Sequence, residues 1–220
     1  MATTTIAPAK PETSQGYDGG GHGPGGSGFG GGDYGLPEYR VSGRTYQLGM
    51  WFALAGIVML FAGFTSAMVV RRGMSFDWVS IAVPRLLWVN TGILLASSLT
   101  LEFSRRALTE RATQNFLRWL ATTVALGVAF LAGQLVVWRE LAARGVYLAT
   151  NPSSSFFYVL TAAHGVHLLG GVCALGYVTL HAGRMARGLE RRTALDVTAI
   201  YWHFMDALWI YIFFLLTRWA

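Results

Sequence analysis

Charge is scarce in this sequence. Only 13% of its 220 residues are Asp, Glu, Lys or Arg, against 53% hydrophobic and 14% aromatic residues. That balance is too apolar for an ordinary soluble domain and fits a polytopic membrane protein. There is a single cysteine, Cys173, which excludes a disulfide within the chain; its place among Gly171, Val172 and Ala174 predicts a small packing residue. Proline is sparse too, and none of the six stands in the middle of an apolar run, which argues against the broken helices of many transporter sites. No internal repeat is visible. No secretory h-region precedes the first apolar run, so that run is expected to act as its own insertion signal.

What is present is five apolar runs, 49–70, 81–101, 117–138, 156–181 and 197–217. Each is long enough to cross a hydrocarbon core about 30 Å thick at 1.5 Å per residue. The expected fold is all-α, a membrane bundle of five transmembrane helices over 42–220, preceded by a glycine-dense tail over 1–41 whose composition predicts disorder. The net charge of +6 is explained by topology. Lys10, Arg40, Arg44, Arg105, Arg106, Arg111, Arg118, Arg184, Arg187, Arg191 and Arg192 fall on one side, and Arg71, Arg72, Arg85, Arg139, Arg144 and Arg218 on the other. The positive-inside rule then puts the N-terminus inside and the C-terminus outside, and leaves no surplus that calls for a nucleic-acid partner.

Polar residues inside the runs carry most of the remaining information. His203 and Asp206 are three apart in Tyr201-Trp202-His203-Phe204-Met205-Asp206-Ala207-Leu208-Trp209, and His164 and His167 are three apart in the preceding run. Each pair shares a helix face. If these two runs are antiparallel neighbours, His167 and Asp206 lie at one depth, and the four residues form a structural polar seam tying the last two helices together. A metal reading is weaker, because a bundle metal site brings several carboxylates and Asp206 is alone. Haem ligation is weaker still, since only His203 faces the two histidines of the other helix.

Elsewhere, Asn90 at mid-depth is expected to bond across helices. Glu102, one turn before Arg105 and Arg106, reads as a boundary salt bridge before it reads as a proton-entry group. Gly49, Gly56 and Gly63 form a smooth stripe on the first helix. Trp51, Asn90, Trp138, Tyr201, Trp202 and Trp209 are candidate lipid or interface contacts. Pro84 is expected in the first turn of the second span, and Ser153 to Ser155 are expected to cap the fourth.

The motif Tyr201-Trp202-His203-Phe204-x-Asp206-x-x-Trp209, preceded by Phe157-Tyr158-Val159-Leu160-Thr161-x-x-His164-Gly165-x-His167-x-x-Gly170-Gly171, resembles the C-terminal signature of haem-copper oxidase subunit III. Asn90-Thr91, Ser97-Ser98-x-Thr100 and Trp138-Arg139-Glu140-Leu141 are similar to the same family. The resemblance runs from about Gly49 to the C-terminus and matches the short five-helix prokaryotic form.

It implies a core subunit of a cytochrome c oxidase in the cytoplasmic (inner) membrane, with no catalytic centre or cofactor of its own. Haem and copper would belong to the partner catalytic chain. The implied partners are subunit I directly, subunit II and bound phospholipid, and the implied role is to stabilise the catalytic subunit and sustain proton uptake. Ile57 stands where the family usually has an intramembrane glutamate, and Val137 where relatives carry an acid; Ile57 cannot bind a proton, so a direct proton-buffering role there is not expected. The alternatives are subunit III of a quinol oxidase, an accessory protein of a nitric oxide reductase, a small transporter, or a stand-alone membrane metalloenzyme.

Overall fold

The computed structural model describes residues 43–74, 78, 84–110, 112–181 and 188–219. The tail expected to be disordered lies outside them, as does most of the loop after the first helix. Among the described residues there are five helices: α1 (Gly43–Met74), α2 (Leu86–Thr109), α3 (Thr113–Ala143), α4 (Pro152–His181) and α5 (Gly188–Trp219). All five are long and apolar enough to cross a membrane.

The helices outrun the apolar runs at most ends, and local chemistry sets their limits. Pro84 stands ahead of α2 rather than in its first turn, and its carbonyl accepts the Leu87 N–H at 3.0 Å. This bond closes a turn that leads into the helix, and Pro84, lacking an N–H, leaves no donor unmet there. At the end of α3 the chain turns through Gly145, whose φ is +79°. The Gly145 N–H donates to the Ala142 carbonyl and the Val146 N–H to the Leu141 carbonyl, both at 3.0 Å. This is a Schellman closure, and it needs a residue that enters the left-handed region without strain.

The cap of α4 is Asn151 rather than the serines that follow it. Its side-chain oxygen accepts the Ser154 N–H at 2.9 Å, while the Ser154 hydroxyl accepts the Asn151 N–H at 3.2 Å. Pro152 fills the first helical position, where no donor is lost. Asn151→Ala should cost about 1 kcal/mol. Faster amide exchange at Ser153 to Phe156 would report it, and unchanged exchange would show that the cap contributes nothing.

Packing converts the five rods into a ring with a buttress. α2 packs on α3, α3 on α4, α4 on α5, and α5 back on α2, so these four close around a common interior. α1 stands outside the ring, against α4 and α5 only, and buries Leu54, Ile57, Phe61 and Met68 there. The family-glutamate position, Ile57, is therefore part of an apolar contact face. α5 touches three helices and is the most enclosed of the five, α1 the least. Two expectations about small residues change. Gly49, Gly56 and Gly63 have no neighbour within reach of an added Cβ, so no helix of this chain uses that stripe. Cys173 is exposed on the outside of α4, because Gly171 and Val172 take the inward positions.

Candidate functional site

α5 carries Trp202, Trp209, His203 and Asp206, and their hydrogen-bond partners come from α2. The Trp209 indole N–H donates to the Thr91 hydroxyl at 3.0 Å, and the Trp202 indole N–H to the Ser97 hydroxyl at 3.0 Å. The Ser98 hydroxyl lies 2.9 Å from His203 Nδ1 and donates to the Asp206 carboxylate. Toward one end, Trp88 meets Phe213 edge-on at 4.7 Å between centroids. At the other, Arg105 pairs with Asp196 at 2.9 Å. These contacts run in one antiparallel register along almost the whole of α2, so α2 and α5 form a polar ladder with aromatic rungs.

This geometry corrects the expected seam. His164, His167, His203 and Asp206 do not form one hydrogen-bonded group between α4 and α5. Gly171 beside Tyr201 and Trp202, and His164 against Trp209, do bracket His167 and Asp206 at a common level. The faces differ, however: His203 and Asp206 turn to α2, whereas His167 turns to α1. The His167 Nδ1 is 2.7 Å from the carbonyl of Ala163 on its own helix, and its ring meets Phe61 at 6.0 Å. His164 is fully buried between Trp209, at 4.8 Å, and Phe130, at 5.9 Å. Among the described residues neither of its ring nitrogens has a hydrogen-bond partner, nor do the Gln134 amide or Asp206 Oδ1. His164 is thus held by ring contacts rather than by the aspartate.

The interface candidates divide in the same way. Trp51 is exposed, as a lipid or partner contact requires. Asn90, Trp202 and Trp209 are instead sealed inside the ring; the Asn90 amide donates to the Phe130 carbonyl at 3.1 Å and so ties α2 to α3. Their polar atoms are spent on helix contacts, which is why they point inward. Tyr201 gives its hydroxyl to the His167 carbonyl at 2.7 Å. Trp138 gives its indole N–H to Thr161 at 3.1 Å and lines an apolar groove of about 370 Å³ with Arg139, Tyr147 and Tyr158.

Glu102 pairs with Arg105 at 3.2 Å and Arg106 at 3.6 Å. With Arg192 and Asp196 these residues line a cavity of about 280 Å³ at one end of α2 and α5. Asp196 and Gly127 were not singled out from sequence: the first looks like any loop-side acid, and the second like any small residue in an apolar run. Among the described residues no three His, Cys, Asp or Glu side chains are grouped so as to hold a metal ion.

Comparison with known proteins agrees with the motif. The family model described as cytochrome c oxidase subunit III matches residues 43–220. "Cytochrome c oxidase subunit 3" of Thermostichus vulcanus is 31% identical over 187 residues, covering 82% of this chain and 87% of its own length. The protein of the same name from Bacillus subtilis is 29% identical over 179 residues, covering 79% and 86%. That of Synechocystis is 32% identical over 162 residues, covering 71% and 68%. The signature on α4 and α5, the five membrane-length helices and a family match from the start of α1 to the C-terminus coincide: the chain belongs to the cytochrome c oxidase subunit III family, a multi-pass membrane subunit that associates with other subunits of a haem-copper oxidase.

Proposed function

We propose that this chain is a non-catalytic core subunit of a proton-pumping terminal oxidase that takes electrons from cytochrome c and reduces oxygen to water. Haem and copper lie in partner chains, subunit I is its direct neighbour, and subunit II belongs to the same complex. The reading places it in a prokaryotic cytoplasmic membrane, N-terminus inside, where it stabilises the catalytic subunit, holds lipid and sustains proton uptake.

The observation that carries this reading is the use made of the mid-span polar groups. Thr91, Ser97, Ser98, His203 and Asp206 are engaged with one another or with indole N–H groups across α2 and α5. Polar side chains spent in this way hold helices together and suit a scaffold better than a transport path. Arg105, Arg106 and Arg192 around the end cavity offer donors for a lipid phosphate. Surface ion pairs of this kind add little stability by themselves.

The test is an optical spectrum of the complex that copurifies with this chain in mild detergent, before and after dithionite. Reduced haem bands with partner chains are the expected result, and a colourless, partner-free preparation would refute the proposal. Asp206→Leu should then lower the share of the subunit retained by roughly fivefold, for about 1 kcal/mol of lost interhelical bonding, while oxygen reduction by the remaining complex persists. Abolished turnover with the subunit still fully bound would contradict the scaffold role.

A further inference from the structure

His203 is exposed, yet it stands at mid-span. It lies two residues from the middle of Arg192–Arg218, and Ser98 lies at the middle of Leu86–Thr109. The His203 Nδ1 is engaged by the Ser98 hydroxyl at 2.9 Å, and the same hydroxyl bonds the Asp206 carboxyl group. The other ring nitrogen, Nε2, is a donor or an acceptor according to which nitrogen carries the proton, and in either state it needs a partner. Among the described residues nothing bonds to that atom.

His203, Ala207, Ile210 and Phe214 recur at helical spacing and are all exposed. On α5 this stripe lies between the face that meets α2, through Ser98, and the face that meets α1, where the Tyr211 hydroxyl donates to Thr65 at 3.1 Å. α1 and α2 pack on α5 without touching each other. The stripe is therefore the floor of a groove. Val58 of α1 and Leu99 of α2, both exposed, stand at the level of His203.

Lipid tails cannot satisfy Nε2 at that depth, and an unmet polar atom in hydrocarbon is costly. Ala207, next along the stripe, leaves room for a backbone to approach closely. We propose that the groove between α1 and α2, floored by His203, Ala207, Ile210 and Phe214, seats a transmembrane helix of another oxidase subunit that hydrogen-bonds His203 Nε2 through a hydroxyl or amide side chain. This rests on the reading of the chain as an oxidase subunit and names the face that reading leaves open.

The test uses the assembled oxidase. A photoreactive phenylalanine analogue at Ile210, outside the hydrogen-bonded ladder, should cross-link this chain to another subunit of the purified complex, identified by mass spectrometry. The same group at Val128, exposed on α3, is the control face. Adducts with lipid alone at position 210, or subunit adducts from position 128 only, would overturn the proposal. Ala207→Trp should lower retention of the subunit about tenfold, the equivalent of 1.4 kcal/mol, without lowering the amount of this chain in the membrane; full retention would also overturn it. If the unaltered chain copurified with no oxidase at all, the functional reading itself would fail, a result distinct from an intact complex docked through another face.

Discussion

Trp202→Ala should be among the most damaging single changes in this chain. The indole is wholly buried, lies against Gly127 and Gly171, and donates to Ser97. In lipid the transfer part of a cavity cost shrinks, because the dissociated helices also sit in an apolar medium; lost packing contacts remain. The lower end of the range for aromatic-to-alanine changes, about 3 kcal/mol, is the expected loss. Trp202→Phe keeps most of the volume and forfeits the Ser97 bond, for about 1 kcal/mol. The midpoint of unfolding by increasing SDS in mixed micelles, followed by helicity, measures both. Equal small losses for the two variants would mean that the ring does not fill the centre of the bundle.

Gly127→Leu should be comparably severe for the opposite reason. A Cβ built on Gly127 would lie 2.7 Å from the tip of the Trp202 ring and 2.9 Å from a methyl of Val172. The ring cannot swing away, since its N–H is tied to Ser97 and its other face meets α4. Overpacking of this kind typically costs about 1–3 kcal/mol, and a whole leucine should reach or exceed the top of that range. The diagnostic comparison is a cycle with Gly127→Ala and Trp202→Phe. Removing the ring tip makes room for the new methyl, so the double variant should be more stable than the two single losses added together. Strict additivity would show that residues 127 and 202 do not meet.

Both changes act on α5, and the residues of α5 were legible in sequence in unequal degree. The five spans follow from run length alone, since 1.5 Å per residue against a fixed hydrocarbon thickness leaves little choice. The level of His167 relative to Asp206 also follows, because a short connection makes α4 and α5 antiparallel. Direction around the helix axis does not follow in the same way. His203 and Asp206 share a face by their spacing, but spacing is silent on which neighbour that face meets. α4 adjoins α5 in sequence and in space, yet the His203 and Asp206 face meets α2. Trp202 and Trp209, which read as interface rings, turn out to be interior because Ser97 and Thr91 supply acceptors there.

The sequence by itself determined the class of the molecule, the number and length of its spans, the polar residues that must find partners inside them, and the family signature. These are properties of composition and of one-dimensional spacing. Only the tertiary structure decided that α2 closes the ring on α5, that α1 stands outside it, that His164 is held by aromatic rings, and that Gly127 is the hollow into which Trp202 fits. The physical reason is that a helix in lipid gains nothing by hiding an apolar face, so the usual hydrophobic stripe that would orient it is missing. Rotation is set instead by close packing and a few hydrogen bonds between residues about a hundred positions apart, which no local pattern records.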